Sequence, residues 1–304
     1  MKLANSYLGL LISVAAMVAV RGAASLHAQA PAESPADMVR EAVKNEISAS
    51  NNDPKFMFRE RKQTPHGSQT KLIVETKEAT AGILVAIDDK PLTAQQRQGE
   101  EARLTALANN PEERKKKQKA EREDANRTMR MVKALPDAFL YEFDGTEPAK
   151  PGIGNLGDEL VRLKFRPNPS YNPPSRTEQV LTGMQGYILI DANKHRIAKI
   201  DGTLFKDVGF GWGILGHLDK GGHFLVEQGC VTNGDWDITR MSLSFTGRVL
   251  LFKGINIKSE EVLSNFRPAP PNLTFAEAVE LLKRESAQLA ENPPQRERET
   301  PDPK

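Results

Sequence analysis

The sequence predicts an α+β fold built on one curved antiparallel sheet, an unclosed β-barrel, with an N-terminal helix, a helical insertion and a C-terminal helix. Three observations carry this. Residues 183–253 alternate short apolar runs with Gly, Asn and Asp breaks roughly every eight to twelve residues, the spacing of an antiparallel meander. Shorter strand-like runs precede and follow that stretch. Helical periodicity is confined to an N-terminal segment, an insertion at 92–135 and a segment after Asn272.

Length and composition bound the reading. The 304 residues allow one large or two modest domains, and with 38% hydrophobic and 27% charged residues the chain is polar for a compact globule. The polar excess sits in one charged helix and at both ends, so the remainder can bury a core. We therefore expect a single half-barrel domain over 34–290 and a charged, Pro-containing tail over 291–304 that is disordered. The formal net charge of +2 supplies no basic face for a phosphate backbone, so no nucleic-acid partner is expected.

Residues 1–30 read as an export signal: Lys2, an apolar run over 8–20, then small residues. Ala28-Gln29-Ala30 fits a small-x-small cleavage site, although Pro31 would follow it. Ala30-Pro31-Ala32 and Gly22-Ala23-Ala24 are the alternatives. The apolar run is short for a bilayer, so no stable transmembrane span is expected after cleavage. No Cys follows the run, which argues against N-terminal lipid attachment. The expected location is the periplasm or the outer-membrane surface. Cys230 is the only cysteine and reads as a buried small hydrophobe, which leaves the fold to its core alone.

In chain order, Ser34 suits a helix N-cap and Pro35 a first helical residue. Met38, Val39, Val43 and Ile47 then share one face, for which the sheet that follows is the nearest partner. Residues 55–62 (KFMFRERK), 70–76 and 83–87 read as strands, with a turn at 64–68 and a stop at Asp88-Asp89-Lys90-Pro91. Thr93 caps a helix over 94–108 whose apolar residues are Leu104 and Leu107. Asn109-Asn110-Pro111 breaks it and starts a second helix over 112–135. In that helix Glu113, Lys117 and Glu121 are spaced for i,i+4 pairing, and the acidic start and Lys133 suit the dipole. Its alternating signs describe a solvated helix rather than a basic patch for nucleic acid or membrane. Only Met129, Val132 and Leu135 suit docking, and Pro136 is expected to end it. Residues 138–143 and 160–165 read as a strand pair, and the Pro-rich 166–174 cannot join a ladder. A short apolar segment at Val180-Leu181 leads into the meander. Beyond it, 255–257 and 261–266 read as two more strands. Asn272 then caps a last helix with Phe275, Val279 and Leu282 on one face.

Candidate chemistry is thin. Residues 211–216 (GWGILG) match G-x-G-x-x-G, but a turn rather than a helix follows, so the dinucleotide reading fails. A glycine-rich bend carrying Trp212 is the better account. His66, His195, His217 and His223 lack the spacing of metal ligands. His217 and His223 flank a Gly-rich turn that would let them converge in a hairpin. Asp235-Trp236-Asp237 suggests a carboxylate pair, but Asn233-Gly234 marks a turn there and favours two solvated acids. No G-x-S-x-G occurs. We expect no catalysis, metal or cofactor.

The order of elements, and the hairpin of Gly186-Tyr187-Ile188-Leu189-Ile190-Asp191 with Arg196-Ile197-Ala198-Lys199-Ile200, resembles the LolA/LolB-like superfamily of periplasmic lipoprotein-sorting proteins. The FMFRER strand, Leu135-Pro136-Asp137-Ala138-Phe139, residues 210–216, residues 245–253 and Asn265-Phe266-Arg267-Pro268 are similar to a family of predicted exported bacterial proteins. The superfamily resemblance implies an unclosed barrel with helices lidding an apolar concavity for a lipid, acyl chain or lipoprotein. It specifies no ligand-contacting residue. The largest candidates for lining such a concavity or its core are Trp212, Trp236, Phe210 and Tyr187. Two readings follow: a non-catalytic binding module, or an interaction protein with a side-chain-filled barrel that acts through its charged helix or tail.

Overall fold

The computed structural model describes residues 33–52, 54–210, 216–249 and 253–291. The expected signal segment over 1–30, the bend carrying Trp212 and the tail over 292–304 lie outside them. No helix among the described residues is long and apolar enough to cross a membrane.

The chain begins with α1 (Pro35–Asn52). It continues through β1 (Phe56–Thr64), β2 (Gly67–Val74), β3 (Ala81–Ile87) and the short β4 (Lys90–Pro91). Next come α2 (Ala94–Ala108) and α3 (Pro111–Ala138), then β5 (Phe139–Pro148) and β6 (Glu159–Pro167). The short α4 (Arg176–Gln179) and a 3-10 turn lead into β7 (Met184–Asp191) and β8 (Ile197–Leu204). The remaining strands are β9 (Val208–Phe210), β10 (Gly216–Leu218), β11 (His223–Thr232), β12 (Asp235–Val249) and β13 (Lys253–Pro268). Helix α5 (Phe275–Glu291) ends the described chain.

The strands form one curved antiparallel sheet in the order β4-β3-β2-β1-β13-β12-β11-β8-β7-β6-β5. It is not closed: β4 and β5 are its ends, and the first long strand pairs with the last. Strands β9 and β10 prolong the wall beside the far end of β12.

Two apolar cores divide the sheet. On what we call the inner face, α1 contributes Val39, Ala42 and Val43, and α3 contributes Leu135. They pack on Phe139, Val161, Leu163, Phe165, Ile188 and Leu204 of β5–β8. Around β1–β3, α5 places Phe275, Val279 and Leu282, and α2 places Leu104, against Met57, Val74, Ala81 and Ile83. Cross-strand alternation puts the α5-facing residues Met57, Val74 and Ile83 on the outer face, opposite to α1.

Asn272 does not cap the last helix: α5 starts at Phe275, and the Glu277 amide donates to Thr274 Oγ1. The signals at the insertion fare better. Thr93 forms a capping box with Gln96, and Asn110 accepts from the Glu113 amide with Pro111 at the first turn. Other expectations are corrected. The apolar face of α1 does pack on the sheet, but on β5–β8 rather than on the strands next to it in the chain. Pro136 does not end α3, which runs on to Ala138. The two strands expected beyond residue 253 are one continuous strand, β13. On α3 Lys117 pairs with Glu121 at 2.8 Å, whereas Glu113 pairs with Lys116 at 2.7 Å. Cys230 is half-buried rather than buried.

Candidate functional site

The inner face of β11, β12, β13 and β1 lies between the two cores. Register places its residues in rows. Phe224 faces Leu243, which faces Ser259. Val226 faces Met241, Met241 faces Glu261, and Glu261 faces Lys62. Phe245 faces Ile257. Phe224 and Phe245 pack against the edge of the α1 core, which fixes these rows on the inner face. Met241, Leu243, Phe245 and Leu263 are half-buried, and Ile257 is 47% exposed. In a sheet whose flanks each carry a buried core, a central apolar stripe left this accessible stands out.

Helix α3 crosses this region. Near its N-terminus, the Glu121 carboxylate accepts the Thr80 amide at 3.1 Å and the Gln118 side chain donates to Lys77 O. Both contacts lie at the β2–β3 turn. At the other end Leu135 is buried in the α1 core, and the Tyr141 hydroxyl donates to Leu135 O at 2.8 Å. Between these anchors, residues 122–128 are all exposed. Two turns of helix thus have no packed side. The dimensions agree: 28 residues make a helix of roughly 42 Å, and the eight strand intervals from β2 to β5 span about 38 Å if flat.

Beneath the N-terminal half of α3 lies a half-open cavity of about 570 Å³. Ile73, Leu84, Leu104 and Leu107 give it apolar walls, and six charges line it. Those charges are matched. Glu100 and Arg103 stand 2.7 Å apart, and Lys117 and Glu121 2.8 Å apart. Glu60 lies opposite Lys71 in register. Burial pushes the Glu100 carboxyl up, but Arg103 and the Leu84 amide outweigh it and hold it below its ordinary value. A second cavity of about 330 Å³ lies by α5 and is lined by Met57, Leu72, Arg267 and Leu282.

The residues singled out from sequence fall elsewhere. Tyr187 and Trp236 pack around Leu160, Leu189 and Ala198 in a small cluster on the outer face, covered by Ala149 and Ile153. The Arg162 guanidinium lies 3.8 Å from the centre of the Tyr187 ring. Phe210 packs against the α1 core. Asp235 is exposed, and the Asp237 carboxylate accepts the Ile238 amide at 2.6 Å. His217 and His223 do not form a hairpin pair. They lie along the same side of β12, opposite Arg248 and Ser244, and take separate carboxylates: Asp219 at 3.1 Å and Asp201 at 2.9 Å. Among the described residues no group of three or more His, Cys, Asp or Glu is placed to hold a metal.

The charged residues of the cavity were not foreseen. A signal was present in KFMFRERK, where Phe58, Glu60 and Lys62 alternate onto one face. Charges at inward positions of a strand mark a face that is not a closed core.

No protein-family model matches the chain, and no curated protein matches it. Among solved structures, it is similar to a DUF1329 family protein from Desulfovibrio piger. The two share 8% identity over 78% of this chain and 95% of the other, with a TM-score of 0.24.

Proposed function

We propose that this is an exported, non-catalytic binding module that holds an acyl chain, as a free lipid or as the lipid of a lipoprotein, on the inner face beneath α3. The observation that carries the reading is the accessible apolar stripe of Met241, Leu243, Phe245 and Ile257, spanned by a helix whose middle is exposed. An acyl chain needs a long apolar surface and little hydrogen bonding, and this stripe supplies both. The cavity at its end is walled by leucine and isoleucine while its charges pair with one another. It therefore suits a neutral or zwitterionic head better than a strongly charged one. The resemblance to LolA/LolB-like proteins and the apolar run over 8–20 support the same reading.

The experiment is extraction and mass spectrometry of lipid from protein isolated from the periplasm, followed by rebinding of a fluorescent acyl-chain probe to delipidated protein. About one acyl-bearing molecule per chain is expected. Recovery of no lipid, together with no uptake of the probe, would overturn the reading. It would favour the interaction module acting through α3 or the tail.

A further inference from the structure

At the end of the β7–β8 hairpin a buried carboxylate oxygen meets no donor. Asp191 is fully buried. Its Oδ1 accepts the amides of Asn193 and Lys194 at 2.9 and 2.7 Å. Its Oδ2 has no hydrogen-bond partner. Asp158, on the loop between β5 and β6, is joined to this turn through Asn193, whose backbone amide serves Asp191 Oδ1 and whose side chain donates to Asp158 Oδ1. Two carboxylates from separate turns are therefore linked, one of them fully desolvated. A buried carboxylate oxygen without a donor favours a cation beside it. Two amide side chains complete the cluster: Asn155 donates to Asp158 Oδ2 at 2.9 Å and Asn193 to Asp158 Oδ1 at 3.2 Å.

We infer that Asp158 and Asp191, with the side-chain oxygens of Asn155 and Asn193, form a binding site for a hard divalent cation, with calcium favoured. Every donor is oxygen, which excludes the soft and imidazole-seeking metals. Carboxylates and amides on two irregular turns suit the variable six- to eight-fold shell of calcium better than the strict octahedron of magnesium. The two amides turn their oxygens inward when the ion enters, and solvent fills the remaining positions. Two carboxylates place the affinity in the weak range, about 10⁻⁴ to 10⁻³ M. The ion would tie the 155–158 turn to the β7–β8 turn. Helix α1 is anchored to that same hairpin, since Asn45 donates to Lys194 O and His195 O.

The test is calorimetric titration of chelator-treated full-length protein with calcium and, separately, magnesium, alongside thermal unfolding in each. One calcium site is expected, preferred over magnesium by at least about tenfold, with a rise in melting temperature at millimolar calcium. Asp191→Asn keeps an oxygen for the Asn193 and Lys194 amides but removes the charge. Asp158→Asn does the same at a half-exposed position. Each should weaken calcium binding by about tenfold or more, whereas Asp144→Asn, in another part of β5, should leave it unchanged. If the pair instead shares a proton, calcium leaves the wild-type melting temperature unmoved and Asp191→Asn raises it at neutral pH. Either that result or calcium binding that survives both substitutions overturns the inference.

Discussion

Glu100 and Arg103, one turn apart on α2 and 2.7 Å from each other, close the outer edge of β3. Glu100 Oε1 accepts the Leu84 amide at 2.9 Å, and the Arg103 guanidinium donates to Gly82 O at 3.0 Å. Side chains here do the work of a neighbouring strand, because β4 pairs with only the last residues of β3. An open edge is a template for association with another chain.

Replacing Glu100 by Ala should therefore cost about 1–2 kcal/mol in urea denaturation and increase self-association on sizing columns. The pair also makes stability depend on pH. The carboxyl is held below its ordinary value of 4.5, so its contribution is complete above that value and is lost as pH falls through the lower folded one. Glu100→Gln should flatten the acid limb of the stability profile. An unchanged limb would show that the acid dependence comes from other carboxylates.

The fold class was legible in the sequence, since alternation, turn residues and caps act locally. Thr93 caps as read because a cap needs only its own first turn. What α1 packs against was not legible, because periodicity defines an apolar face without naming its partner. The break read between 257 and 261 was a misreading for a related reason. Lys258, Ser259 and Glu260 look like loop residues, yet they sit inside a ladder, opposite Ser244, Leu243 and Ser242 of β12. For the candidate site, weight was placed on the aromatic residues. Tyr187 and Trp236 proved to be partly buried in a local cluster on the outer face. The accessible stripe is made of ordinary Met, Leu and Ile, which look the same in a filled core and in an open trough.

The stripe can be tested apart from stability. Ile257 is already 47% exposed, so Ile257→Glu should change unfolding free energy by less than about 1 kcal/mol. If an acyl chain lies there, the charge should reduce probe uptake by about tenfold or more, since a carboxylate resists desolvation. Val262, 37% exposed and pointing outward, provides the control: Val262→Glu should leave uptake unchanged.

The two parts of α3 should respond differently to mutation. Leu135 is buried in the α1 core, and Leu135→Ala should cost about 2–5 kcal/mol. Ala125 lies in the exposed span, so Ala125→Gly should cost only about 1 kcal/mol, the propensity difference. Equal losses in thermal or chemical unfolding would mean that the span is packed against something.

Gly186 marks the tightest approach between strands. A β-carbon there would stand 1.9 Å from Asp201 O, an atom of the paired strand backbone that cannot swing aside. Gly186→Ala should therefore break the β7–β8 pairing and yield insoluble protein. Gly99→Ala, where a β-carbon meets nothing within 4 Å on α2, should be neutral or stabilise by up to about 1 kcal/mol.

The last prediction concerns the attachment of α1, to which one carboxylate contributes four hydrogen bonds. Glu46 Oε1 accepts from Arg196 Nε at 2.8 Å, the Ile197 amide at 3.0 Å and Gln228 at 3.0 Å. Its Oε2 takes a second bond from Arg196 at 3.0 Å. The two side chains are only 13% and 16% exposed, so losing one leaves the other poorly solvated. Glu46→Ala should cost about 3–5 kcal/mol, as for breaking a buried ion pair. Glu46→Gln keeps an acceptor for the Ile197 amide but loses the charge and should cost about half as much. Arg196→Met should cost less than Glu46→Ala, because the carboxylate it leaves still accepts from Ile197 and Gln228. If α1 can leave the sheet as a unit, hydrogen exchange in Glu46→Ala should rise first in α1 and in the C-terminal turns of α3, which pack on each other, before β1–β3 and α5. Uniform acceleration across both cores would show instead that the clamp stabilises the domain only as a whole.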